Sequence, residues 1–281
     1  MSKLYVFGIG GTGSRVLKAL TMLLSSGVEC AADTIVPIII DPDDSAADKT
    51  RAVAAMNRYM SVRSKLDFTA ADQNRFFKTE IRPVDGMENF GFPLKNTRDC
   101  FFKDFIKIDE LNKANRALVS LLFSEKNLDS DMKVGFKGNP NIGSVVLNQF
   151  ANSQEYKDFA NGFQQGDRIF IVSSIFGGTG ASGFPLLLKT IRSDRSSQSW
   201  NLISKSAVGA VTVLPYFSVS QDDNSGVDSS TFASKTKSAL AYYEHNISAN
   251  GGINALYYIG DNIPASYENH DGGSEQKNNA H

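Results

Sequence analysis

The stretch that most constrains this chain is residues 176–183, FGGTGASG. An apolar run, residues 168–175 (RIFIVSSI), precedes it with the length and β-branched content of a buried strand. Residues 184–192 (FPLLLKTIR) follow with the look of a helix. Strand, glycine loop, helix is the layout of an anion site. Glycine reaches positive φ at little cost and lets the backbone approach a ligand closely. The first N–H groups of a helix have no intrahelical partner and favour negative charge. A second loop of this kind opens the chain: residues 3–7 (KLYVF) read as a strand, and Gly8 to Ser14 (GIGGTGS) follow. Val16, Leu17, Leu20, Leu23 and Leu24 then recur at helical spacing. Two phosphate-type loops on two strands of one sheet imply one nucleotide held between them.

The rest of the chain keeps the alternation. Residues 34–40 (TIVPIII) read as a strand ending at Asp41, with Pro37 marking a strand start or an edge position. Residues 43–66 predict a helix. Residues 68–95 are irregular and read as an insertion at the domain edge. Residues 99–124 predict one helix, with Phe101, Phe105, Ile108, Leu111, Leu118, Leu121 and Leu122 facing inward. A strand over 132–136, a turn at Gly138-Asn139-Pro140 and a helix over 142–163 follow. After the central loop come a strand over 206–214, a polar loop over 218–230, a helix over 232–245 and a last strand over 255–259. Such alternation predicts an α/β, Rossmann-like, mostly parallel sheet with helices on both faces. Ligands of these sheets sit at the carboxyl ends of the strands, where the glycine loops fall. The domain is expected over 1–267, with 68–127 a helical insertion and 268–281 a polar tail or the start of a further helix.

Composition excludes several classes. Lys and Arg number 29 against 30 Asp and Glu, so no general attraction to nucleic acid is expected. No apolar run approaches a membrane span. Two cysteines and three histidines are too few for a disulfide framework or a usual zinc cluster, which suits a reducing, cytoplasmic setting.

A third glycine-containing stretch, residues 135–143 (GFKGNPNIG), reads by itself as a turn and helix start. With GIGGTGS before it and FGGTGASG after it, the ordered set resembles the tubulin/FtsZ superfamily of GTPases, and among its members the bacterial tubulin-like proteins. Residues 211–217 (VTVLPYF) and 257–262 (YYIGDN) are similar to later segments of that family. The resemblance implies GTP or GDP with Mg²⁺ as ligands, and self-association into protofilaments. It implies that Gly10, Gly11, Thr12 and Gly13 lie along the first two phosphates. Gly138 and Asn139 would approach the third phosphate, and Gly177, Gly178, Thr179 and Gly180 would wrap the tail. Asn262 would read guanine, since an amide offers both a donor and an acceptor. Asn279 is a second candidate for the base, with a polar tail as its bland alternative. Asp41 would sit near Mg²⁺ through water; it reads equally as a helix-capping aspartate.

The sequence departs from the family pattern at Phe176, where a third glycine is usual, in ASG after GGTG, and at Arg15, where asparagine is common. The activating loop of the family, with its acidic residue, is expected outside these 281 residues, so hydrolysis by this chain is expected to be slow or absent. Two rivals remain. An adenylating enzyme of the E1-like kind fits GIGGTGS and IIIDPD but leaves the other two loops without a task. An NAD-binding oxidoreductase wants its ribose-binding acid about 20 residues past the loop, and Asp41 comes later.

Overall fold

The computed structural model describes residues 2–267, apart from 70–73, 88, 96, 98–99, 133–134, 194, 196, 220–228, 250 and 263–265. β1 (Lys3–Ile9) runs directly into α1 (Gly10–Ser25), and β2 (Thr34–Ile40) leads to α2 (Ala47–Arg63). Two short strands follow, β3 (Glu80–Ile81) and β4 (Gly91–Phe92). Next come α3 (Phe102–Phe105), a 3-10 turn at Ile108–Glu110, α4 (Lys113–Leu122) and α5 (Glu125–Leu128). α6 (Pro140–Leu147), a 3-10 stretch at Asn148–Asn152 and α7 (Gln154–Gly162) precede β5 (Arg168–Ser174). Then follow α8 (Gly178–Ser193), α9 (Trp200–Lys205), β6 (Val208–Val213) and β7 (Ser218–Val219). α10 (Phe232–Tyr243), a π-helical turn at Glu244–Ser248, β8 (Ala255–Ile259) and β9 (Ser266–Tyr267) complete the described chain.

Seven strands form one sheet in the order β3-β2-β1-β5-β6-β8, with β4 also on β2. Every pairing in it is parallel. Side chains alternate between the two faces, as strand geometry requires. Tyr5, Phe7 and Ile9 of β1 enter one core with Phe159 of α7 and Leu187 of α8, while Val6 enters the other with Leu17 of α1 and Met56 of α2. Phe7 meets Phe159 edge to face at 5.2 Å between centroids. Both faces of the sheet are therefore covered, and each fully buried Phe, Ile or Leu contributes roughly 1.5–3 kcal/mol. The chain winds outward one way through β1, β2 and β3, and the other way through β5, β6 and β8. The reversal lies between β1 and β5, and such a switch point opens a crevice at the strands' carboxyl ends.

Several expectations need correction. Residues 99–124 do not form one inward-facing helix. Lys107 takes φ +51° and Asn112 begins a new helix by accepting from Asn115 N at 2.9 Å. α4 has no buried residue, and Leu118, Leu121 and Leu122 are 54%, 84% and 59% exposed. Phe101 is exposed as well. Helical spacing located the apolar stripe of α4 but not whether anything covers it. The 142–163 helix is broken by a cap: Ser153 Oγ accepts from Tyr156 N at 3.1 Å and starts α7. No strand covers 132–136 among the described residues; Gly135 takes φ +94°, which ends extended structure there. Residues 68–95 are not merely an insertion, because they supply β3 and β4 to the sheet. Pro37 does not make β2 an edge strand. β3 pairs with Thr34 and Ile35, and β4 with Ile39 and Ile40, so the outer ladder has a gap around the residue without an N–H.

Candidate functional site

The central glycine loop is itself the first turns of a helix. α8 begins at Gly178, two residues past Phe176, and α1 begins at Gly10 with no intervening loop. Gly10 takes φ +68°, which an L side chain adopts only with strain. The glycines then divide by what a Cβ would strike. At Gly13 it would stand 2.3 Å from the Gly8 carbonyl carbon, and at Gly180 2.5 Å from the Ser174 carbonyl oxygen. These two let each helix lie against the strand that feeds it. At Gly178 a Cβ would stand 3.0 Å from both Asn139 N and Phe136 Cβ, so α8 packs against the start of α6. At Gly10 it would stand 3.6 Å from Thr179 Cβ, in ordinary contact, so the starts of α1 and α8 touch.

Three helix N-termini thus meet at the switch point. None of α1, α6 and α8 carries an acidic residue in its first turn, and neither α1 nor α6 has a side-chain cap. In α4, α5 and α7 an Asn or Ser side chain fills that position. The first-turn residues of α1 and α8, whose N–H groups have no intrahelical partner, line one cavity of ≈ 260 Å³, and the turn ahead of α6 adds Gly135, Phe136, Lys137 and Gly138 to its wall. Gly10, Gly11 and Thr12 line it from α1, and Gly177, Gly178, Thr179 and Gly180 from the start of α8. Gly138 and Asp41 complete the expected residues found there. Gly138 takes φ +73°, and its carbonyl accepts from Lys235 Nζ at 2.9 Å. Gly13 and Asn139 stand behind the wall: the first at the helix–strand contact, the second donating its N–H to Phe136 O at 2.8 Å. Asn262 follows β8 at the same end of the sheet, exposed, and is not among the cavity residues. Asn279 lies outside the described residues.

Sequence reasoning passed over Asp43, Lys137, Phe217 and Phe232, which also line the cavity. Lys137 sits at φ +43° inside GFKGNP. A lysine in a glycine-rich turn ahead of a helix was the available signal. Arg15, which in the sequence reads either as added charge toward a phosphate tail or as a cover for the helix surface, lines the cavity too. Phe176, at the position usually held by glycine, is buried and packs against Phe217 and Phe232, with centroids 5.6 and 5.1 Å away.

Asp41 ends β2 with its carboxyl buried. Burial pushes its pKa up to about 7, with the charges of Asp43 and Asp44 adding to the rise. The bond from Asp43 N, 3.0 Å from Asp41 Oδ1, and the charge of Lys49 oppose it. No ion pair to Asp41 occurs among the described residues. A carboxylate so placed fits a cation that also has other oxygen ligands. Among the described residues no three His, Cys, Asp or Glu side chains gather as a protein-only metal site.

Among solved structures this chain is similar to an FtsZ mutant from M. jannaschii, at 15% identity over 92% of this chain and 46% of that one, TM-score 0.43. It is similar to CetZ2 from Haloferax volcanii, a GTPγS-bound protofilament, at 12% identity over 92% and 49%, TM-score 0.43. A GTPγS-form protofilament of TubZ from Bacillus thuringiensis serovar israelensis matches at 12% identity over 92% and 48%, TM-score 0.38. These neighbours are tubulin/FtsZ-superfamily proteins. The chain spans about half the length of each. The assignment of fold class rests on the strand order and not on these likenesses. No protein-family model matches the chain, and no curated protein sequence does. No described helix is long and apolar enough to cross a membrane.

Proposed function

We propose that this chain binds a guanine nucleotide, GTP or GDP, at the switch-point cavity, as the nucleotide-binding domain of a cytoplasmic, self-assembling GTPase of the tubulin/FtsZ kind. The observation that carries the reading is the meeting of the N-termini of α1 and α8, both free of first-turn acids, in one cavity at the carboxyl ends of β1 and β5, with the glycine turn ahead of α6 on its wall. Uncompensated N–H groups and helix dipoles in one crevice select a polyanion. Lys137 and Arg15 at the rim add positive charge. The phosphates would lie along Gly10, Gly11, Thr12 and Gly13, and along Gly177, Gly178, Thr179 and Gly180, with Gly138 and Asn139 at the far end of the tail. Asp41, with Asp43 beside it, fits Mg²⁺ through water, the ion neutralising phosphate charge. Asn262 and Asn279 are the proposed contacts to guanine. The domain comprises residues 1–267, and the order of its three glycine motifs supports the family reading over that of a generic anion site.

A second reading has one observation in its favour. Asp41 ends β2 and lines the same cavity, where a dinucleotide-binding fold keeps the acid that accepts ribose hydroxyls. Thermal-shift titration with GTP, ATP and NAD separates the readings, because a ligand that binds only the folded chain raises its melting temperature. Stabilisation by GTP and GDP in the presence of Mg²⁺, with little response to ATP or NAD, is expected. Preference for NAD or ATP would overturn the guanine reading.

A further inference from the structure

Arg15 holds an unusual place on the cavity wall. It lies one turn into α1, and its guanidinium covers that helix's first turn. An added Cβ on Gly11 would stand 3.4 Å from Asp48 Oδ2 and 3.9 Å from Arg15 Nη2. The guanidinium is engaged twice. Its Nε lies 2.9 Å from Asp48 Oδ2, and its Nη1 donates to the Tyr216 hydroxyl at 2.8 Å. Arg15 therefore ties α1 to α2 and to the segment after β6. Tyr216 in turn meets Phe176 of the central loop edge to face, with centroids 6.1 Å apart.

Asp48 has a second cation: Arg51 Nη2 stands 2.7 Å from its other oxygen. The Asp48 side chain is 9% exposed, and a carboxylate so buried would be costly to leave without a partner. Arg51 removes that penalty if Arg15 moves. The Arg15 side chain is 37% exposed, though its Nε is buried. The Arg15–Asp48 contact is an ion pair through Nε alone, without a well-formed hydrogen bond, whereas a guanidinium can bind phosphate oxygens through paired N–H donors.

Resting on the nucleotide reading above, we propose that Arg15 is a specificity-determining residue for the phosphate tail. It exchanges Asp48 for phosphate oxygens when nucleotide binds, and Asp48 stays paired with Arg51. In the free protein Asp48 competes with the ligand for the guanidinium and holds affinity down. The exchange also releases the Tyr216 hydroxyl, so the aromatic contact to Phe176 registers whether a phosphate is present.

Calorimetric titration of the full chain, its R15M variant and its D48N variant with GTP and with guanosine tests this, with circular dichroism to establish that each variant is folded. R15M should weaken GTP about tenfold and leave guanosine unchanged. D48N should tighten GTP severalfold, because it removes the competing charge while keeping an oxygen for Arg51. A merely structural Arg15–Asp48 pair would make both variants lose affinity together. Unchanged GTP binding in folded R15M, equal losses for GTP and guanosine, or a weakened D48N would each overturn the proposal. Should R15M not fold, the sign of the D48N change decides. If the unaltered chain binds neither ligand, the nucleotide reading itself has failed and this inference falls with it.

Discussion

Replacing Asp41 by Asn should stabilise the nucleotide-free protein, and the size of the effect should depend on pH. The carboxyl at the end of β2 is buried and its pKa is raised from 3.8 to about 7. In the unfolded chain it titrates near its ordinary value. Between those two pH values the folded state holds a proton that the unfolded state has released. Stability therefore falls as pH rises through this window, because the folded state must lose the proton to a site that disfavours charge. Each pH unit of the window is worth about 1.4 kcal/mol, so its full width of roughly three units corresponds to about 4 kcal/mol as an upper bound. Asn is neutral throughout and can keep the acceptor for Asp43 N, which lies 3.0 Å from Asp41 Oδ1. Urea denaturation from about pH 3.5 to about pH 8 should show D41N gaining on the parent, reaching ~2–4 kcal/mol at the alkaline end. At the acid end the two should converge. Mg²⁺ with GTP should flatten the parent's slope, since a cation beside the carboxylate favours its charged form. Parallel pH profiles for the two proteins, or a D41N variant less stable near about pH 8, would refute the account of this residue.

Other perturbations follow from the same geometry. G180A should unfold the protein or cost more than ~3 kcal/mol, since its Cβ would lie 2.5 Å from the Ser174 carbonyl oxygen. G10A should cost only ~1–2 kcal/mol in urea denaturation, the strain of φ +68° without a clash. At the opposite end of the sheet, Asp167 Oδ1 accepts from Lys3 N at 2.8 Å and Oδ2 lies 3.5 Å from Lys3 Nζ. D167A strands that buried cation and should lower stability by ~3–5 kcal/mol, read from the denaturation midpoint. N262A should weaken GTP about tenfold and leave inorganic triphosphate binding unchanged, if the exposed amide after β8 reads the base. Equal losses for both ligands would remove Asn262 from that role.

The alternation of strand and helix was legible because β1, β2 and β5 are buried on most positions of both faces and, like β6, read as short, largely apolar runs. The two strand–glycine–helix junctions were legible for a local reason, since a strand, a glycine run and a helix are contiguous in sequence. What each glycine does was not legible. Gly13 and Gly180 look like Gly10 and Gly11 in the sequence, yet the first two are held by close contacts to the ends of the strands that feed their helices, at Gly8 and Ser174, which only the folded geometry shows. The helical spacing of residues 113–122 was read correctly as an apolar stripe, but burial is a property of the neighbours, and α4 has none over Leu121. Lys137 and Asp43 reach the cavity only through the tertiary meeting of β2, α6 and α8. The proposed base contacts have less local support: Asn262 follows β8 at the carboxyl end of the sheet but away from the cavity wall, and Asn279 lies outside the described residues.

The central claim is that phosphates occupy the N-termini of α1 and α8 together. Hydrogen exchange of the backbone amides, with and without Mg²⁺ and GTP, tests it most directly. GTP should slow exchange at Gly10, Gly11 and Thr12 and, to a similar degree, at Gly178, Thr179 and Gly180, because amides that have no intrahelical partner gain one from the ligand. Amides of α4 should be unaffected. Protection of one loop without the other, or none in a protein that binds GTP by calorimetry, would contradict the account.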